Sequence, residues 1–287
     1  MLLCALAERR LLAGDSAEIA NLIADLEEPP IARIGAMDVD EYIGPHERHA
    51  LAASMNSLLA SPALASWRRG ATLDVDDWFT PKNGRTPAII VSVAHLDETE
   101  RTLVLGVLLE EIVAWVRSLS GTSRLRALVL FDEAYGFLPP HPANPPTKRP
   151  IVALLKQARA FGVGVVLATQ NPMDLDYRAL SNAGVWCIGR LQTDADRVRV
   201  VEGLTGVKVK GKGDGAALAG VIKTLPARTF LVRDAHDGGS LVMLTPRQTM
   251  SFLRGPMTRG EIAGAVDARE TAEAEASENA RPSRRRS

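Results

Sequence analysis

The sequence predicts an α/β protein built on a parallel sheet, incomplete at its N-terminal side and preceded by a mostly helical segment. Three observations carry that expectation. Residues before about 80 follow a helical period almost throughout. From Pro87 onward, short apolar runs of buried-strand type alternate with helical stretches. Those runs are continuous rather than alternating, as befits strands covered on both faces.

In order, Asp15 and Ser16 are cap candidates for a helix carrying Ile19, Leu22, Ile23 and Leu26, which Pro29-Pro30 ends. A second helix over 46–59 places Leu51, Met55, Leu58 and Leu59 on one face, with Ser61-Pro62 as its stop. Turn signals at Pro81, Asn83 and Gly84 precede the first apolar strand, residues 88–94. A helix over 99–119 leads to a second strand, 127–131, then a proline-rich loop, 138–150. A helix (151–161), a strand (163–168), a short helix (177–182), a strand (185–189) and a helix (194–204) follow. Residues 228–233 and 240–244 read as two more strands, turned at Asp237-Gly238-Gly239. The domain reading is a helical segment (1–86), an α/β core (87–262) and a polar Ala/Glu tail (263–287) expected to be disordered.

Composition narrows the function. Lys plus Arg and Asp plus Glu are both 34, so no global basic field draws the chain to nucleic acid; any such contact needs a local patch. Cys4 and Cys187 make no disulfide framework, which points to a reducing, cytoplasmic setting. No run reaches the roughly 18–20 apolar residues of a membrane span; the run 103–109 stops at Glu110-Glu111. The first residues read as mid-helix, without a basic leader or a cap, as if the chain began part-way into a larger fold.

The chemistry concentrates at Leu128-Val129-Leu130-Phe131-Asp132-Glu133. A buried strand there delivers two adjacent carboxylates to its C-terminal end, where open α/β sheets bind ligands. Such pairs divide labour in nucleotide hydrolases: one acid holds magnesium and the next polarises water. The alternative is a strand that simply ends in solvated acids. The strand over 163–168 leads to Gln170, which suits a phosphate sensor or a bond to the turn at Asn171-Pro172. Arg159, in a helix's last turn, and Arg190, after the strand 185–189, are suited to charge on a phosphoryl group across a subunit boundary. Arg159 also fits a plain helix-dipole role.

Lys156-Gln157-Ala158-Arg159-Ala160-Phe161-Gly162, Leu167-Ala168-Thr169-Gln170-Asn171-Pro172 and Gly189-Arg190-Leu191-Gln192-Thr193-Asp194, with the acidic strand, resemble the HerA-type branch of the HerA–FtsK superfamily of P-loop ATPases. Within it the likeness is to bacterial ATP-binding proteins carrying a HerA helicase central-domain signature, over residues 1–262. Glu28-Pro29-Pro30, Ala94-His95-Leu96 and Phe252-Leu253-Arg254-Gly255-Pro256 match as well. The resemblance implies a RecA-like fold, hexameric rings, and ATP-driven translocation of DNA with ATP and Mg²⁺ as cofactors. It makes Asp132 the magnesium (Walker B) acid, Glu133 the catalytic base, Gln170 the sensor, and Arg159 the arginine reaching a neighbour's nucleotide, with Arg190 as rival or companion.

One departure is serious. The 287 residues contain no Gly-x-x-x-x-Gly-Lys-Ser/Thr loop to wrap phosphates. The nearest look-alike, 206–215, has Lys212 followed by Gly213 and no preceding strand. The expectation is the C-terminal catalytic part of such an ATPase, partnered by a homo-oligomeric ring or a separate Walker A half, and binding ATP weakly alone. The alternative is a non-catalytic module docking on a complete ring. Elsewhere, His46, His49, His95, His141 and His236 show no metal-ligand spacing. Trp67, Trp78, Trp115 and Trp186 read as core, Lys148 and Arg149 as part of a stiff spacer, and Arg281 to Arg286 as a solvated tail.

Overall fold

The computed structural model describes residues 1–62, 73–81, 84–205, 214–237, 239–250, 252 and 254–279. The expectations for Trp67, Asn83, residues 206–213, Gly238, Leu253 and the Arg281–Arg286 cluster lie outside them. The chain divides into two compact units, Met1–Asp74 and Val75–Ser287.

In the first unit, helices α1 (Leu2–Ala13), α2 (Ile19–Glu27) and α4 (Pro45–Ala60) enclose Leu2, Leu6, Leu26 and Ala52. Between them lie a short hairpin, β1 (Arg33–Ile34) and β2 (Met37–Asp38), and one turn of helix, α3 (Val39–Tyr42). Helix α2 begins later than the cap candidates suggested: its N-cap is Glu18, and Ser16 Oγ accepts the Glu18 N–H at 3.4 Å. Two arginines fasten the unit. Arg10 grips Asp25 through both carboxylate oxygens, at 2.6 and 2.7 Å. Buried Arg48 donates to the Leu26 and Ile43 carbonyls at 3.2 and 2.9 Å and to Asp40 at 2.6 Å, so its desolvated fork is answered on three sides.

The second unit is mixed α/β. After α5 (Val75–Phe79), helix α6 (Glu98–Ser118) starts at Asp97, whose carboxylate accepts the Glu100 N–H at 2.8 Å. Strands β3 (Ala127–Phe131) and β4 (Val163–Leu167) pair in parallel, Ala127 opposite Val163 and Phe131 opposite Leu167. Their connection holds the proline loop and α7 (Lys148–Gln157), which starts a turn before the expected 151 and ends in a 3₁₀ turn, Ala158–Phe161. Two contacts tie the end of the loop down. Thr147, fully buried, donates to the Phe137 carbonyl at 2.8 Å, and Lys148 pairs with Asp176 at 2.8 Å.

Two strand expectations are corrected. Residues 88–94 form no strand, and Ile90 is 91% exposed, because apolarity marks a run for burial but only a partner makes it a ladder. Strand β5 (Val185–Ile188) joins not a parallel sheet but an antiparallel one, in the order β5, β6 (Phe230–Asp234), β7 (Leu241–Leu244). Two helices, α9 (Asp194–Thr205) and α10 (Asp214–Thr224), separate β5 from β6, so the chain returns pointing the other way. Ile188, Val200, Val201, Leu204, Ile222 and Leu231 form the core beneath this sheet. Short α8 (Tyr177–Leu180) precedes it. The tail expected to be disordered is helical as far as it is described, α11 (Arg259–Asn279), since Ala and Glu favour helix without apolar content.

The β3–β4 pair depends on Gly162. It sits at φ 75°, and a Cβ there would lie 2.3 Å from the Arg124 carbonyl oxygen. The Gly162 carbonyl in turn accepts the Arg126 N–H at 2.7 Å, starting the ladder. Gly162→Ala combines left-handed strain with a backbone clash and is expected to lower unfolding free energy by about 3 kcal/mol, measured by urea titration.

Candidate nucleotide-hydrolysis rim

The parallel register decides which side chains meet. Beyond β3 and β4 the pairing goes on with one extra residue on the β3 side: Ala168 N–H donates to the Phe131 carbonyl, and Ala134 N–H to the Ala168 carbonyl, both at 2.9 Å. Asp132 and Glu133 therefore lie together opposite Ala168, on the same rim as Thr169 and Gln170. Asp132, Glu133 and Gln170 are all exposed.

Glu133 adopts φ 71°, a left-handed conformation that costs a non-glycine residue about 1–3 kcal/mol. The Thr169 hydroxyl lies 3.4 Å from its Oε1 and accepts the Asn171 N–H at 3.1 Å. Thr169 was not singled out from sequence; the signal available was only that it immediately precedes Gln170. Asn171 caps the following 3₁₀ turn, Pro172–Asp174, accepting the Met173 N–H at 3.3 Å.

Arg159 is elsewhere. It leaves the turn before β4, while Gln170 follows that strand. The five residues of β4 separate the two rims by about 16 Å, at roughly 3.3 Å per residue. Arg159 is thus remote from Asp132 and Glu133 of its own chain. Its Nη1 donates to His236 Nε2 at 2.5 Å, and His236 Nδ1 lies 2.9 Å from Asp234 Oδ1. The His236 backbone N–H also reaches that oxygen, at 2.8 Å. This backbone bond, and then the ring N–H, hold the Asp234 carboxyl below the usual carboxylate range. The stabilisation is complete above the ordinary carboxylate pKa and is lost as pH falls through the depressed value. Arg190 is exposed, follows β5, and makes no hydrogen bond among the described residues.

A cavity of about 380 Å³ lies beside Arg159, lined also by Ser123, Arg124, Gly162, Asn182, Gly184 and His236. No three His, Cys, Asp or Glu side chains gather for a metal among the described residues. Nor is any described helix long and apolar enough to cross a membrane.

Exposed, with no hydrogen-bond partner among the described residues, Asp132 suits a magnesium ion held through water. Phosphates fit less well: neither β3 nor β4 leads through a glycine-rich turn into a helix N-terminus that would wrap them.

No protein-family model and no curated protein matches the chain. Among solved structures it is similar to the genome-packaging NTPase B204 of Sulfolobus turreted icosahedral virus 2. In its ATP-gammaS complex the identity is 21% and the TM-score 0.32, over 42% of this chain and 54% of that one. The chain thus spans about half the length of that relative. The DNA-packaging ATPase B204 of Sulfolobus turreted icosahedral virus matches at 15% identity and TM-score 0.42, over 67% of this chain and 92% of that one. These likenesses are loose and low in identity, and the functional reading rests on this chain's own residues.

Relieving the strain at Glu133 has a measurable sign. Glu133→Gly is expected to raise unfolding free energy by about 0.5–1 kcal/mol, whereas Glu133→Gln leaves it unchanged; thermal and urea unfolding of both variants checks this.

Proposed function

We propose that this chain supplies the water-activating rim of a HerA-like, ATP-driven DNA translocase, working in a ring whose phosphate-binding loop comes from outside these 287 residues. The observation that carries the reading is the parallel register that sets Asp132-Glu133 beside Thr169-Gln170. In this account the β3–β4 pair belongs to a RecA-like sheet whose remaining strands lie on that missing segment. Bound ATP supplies the phosphoryl group to be transferred, and magnesium the positive charge that neutralises it.

Asp132 is the residue that would hold magnesium, through water. Glu133 takes a proton from the attacking water, and Gln170 donates its amide N–H toward the terminal phosphate. Arg159, on the opposite rim, serves a neighbouring subunit rather than its own, because the span of β4 separates it from Glu133. Arg190 is the rival for that part. DNA is the substrate moved.

A bare sheet face fits a covering layer that the described residues do not supply. Leu128, Leu130 and Val166, on one face of the β3–β4 pair, are 56%, 63% and 40% exposed. The same feature favours the second reading, a module that only docks on a complete ring.

Mixing the chain with a complete HerA-type ATPase separates the readings. Glu133→Gln and Arg159→Ala are each expected to lower the hydrolysis rate of mixed rings by about tenfold or more relative to the unaltered chain. Unchanged rates with both variants contradict the catalytic reading and favour docking alone. For the isolated chain, titration with a fluorescent ATP analogue is expected to show no micromolar, magnesium-dependent affinity.

A further inference from the structure

The contact between Arg159 and His236 joins residues 77 apart in sequence and fixes the state of both. A guanidinium carries only N–H donors, so His236 Nε2 must accept. The ring proton then sits on Nδ1, which donates to Asp234 Oδ1 at 2.9 Å. Asp234 is itself anchored by the His236 backbone N–H at 2.8 Å. The result is a directional chain, Arg159 to His236 to Asp234, in which each member has one role available to it.

The backbone makes room for this chain. Gly184 lies beneath the imidazole, and a Cβ there would come within 2.4 Å of His236 Cε1. Gly162, three residues after Arg159, ends the 3₁₀ turn in the left-handed conformation that only glycine adopts freely. Arg159 is thereby fixed at its backbone by the turn and at one guanidinium nitrogen by His236. Its other N–H groups make no hydrogen bond among the described residues, and the side chain lines the cavity of about 380 Å³ together with Arg124, Ser123 and Asn182. One arm of the fork is held and the rest is free to donate.

We propose that His236, oriented by Asp234, is a positioning residue that holds the Arg159 guanidinium ready for the phosphoryl oxygens of a nucleotide carried by a neighbouring subunit. This rests on the trans-acting role given to Arg159 above. An arginine loses rotamer freedom when it engages an anion, and a side chain already held by a neutral acceptor has less to lose. The imidazole nitrogen orients the guanidinium while keeping the Asp234 carboxylate out of direct contact with it.

The test has a spectroscopic and a kinetic arm. Nitrogen-15 spectra of the histidine rings in the full chain, with the His236 signals assigned by their loss in His236→Gln, are expected to show the neutral Nδ1–H tautomer. Arg159→Ala should shift the Nε2 resonance. An Nε2–H tautomer, or a signal indifferent to Arg159→Ala, overturns the proposal. In mixed rings, His236→Ala is expected to lower kcat about tenfold with KM for ATP little changed, as for loss of a transition-state contact. His236→Gln, whose carbonyl oxygen can replace Nε2 as acceptor, should restore most of the rate. If Arg159→Ala slows hydrolysis but His236→Ala does not, positioning is refuted while the trans-arginine reading survives. If Arg159→Ala has no effect, both fall. If Gln fails to rescue while both variants remain folded by circular dichroism, His236 has only a structural role.

Discussion

The proposed hydrolytic rim depends on the parallel pairing of β3 with β4. A parallel ladder brings two strand ends to one rim, so carboxylates after one strand and a hydroxyl and amide after the next become neighbours without contact in sequence. The register is held by backbone bonds at both ends: the Gly162 carbonyl to Arg126 N–H before the strands, and Ala168 with Phe131 and Ala134 after them. Glu133 is held beyond this ladder in a left-handed conformation that costs stability.

The same strands that unite the acids with Gln170 keep Arg159 away from them. In the ring proposed above, the rim with the anchored arginine would face the neighbouring subunit's rim with the carboxylates and Gln170. The bare apolar face on Leu128, Leu130 and Val166 has the same origin, since a two-stranded sheet cannot cover both its faces.

Strands β3 and β4 were legible because four or five apolar residues in succession, closed by polar ones, suit a doubly covered strand. Helix α6 was legible as the helical stretch 99–119, and the acid pair from its place after Phe131. The direction of β5 was not legible. Its composition resembles that of β4, and only the pair of helices before β6 sets its partner antiparallel. Residues 88–94 have the composition of a strand but no partner among the described residues. The β1–β2 hairpin is too short to leave a period. The links from Thr169 to Glu133 and from His236 to Arg159 span 36 and 77 residues, and no local pattern records such distances. His236 looked like a scattered histidine because its partners come from another part of the chain.

The most direct test is of the rim itself. With exposed Cys4 and Cys187 replaced by serine, a nitroxide carried by Asn171→Cys should strongly broaden the amide resonances of Asp132 and Glu133. It should leave those of Gly162 and His236, at the opposite rim, far less affected. Equal broadening at the two rims, or none at Asp132 and Glu133, would contradict the parallel register and remove the basis for a hydrolytic site.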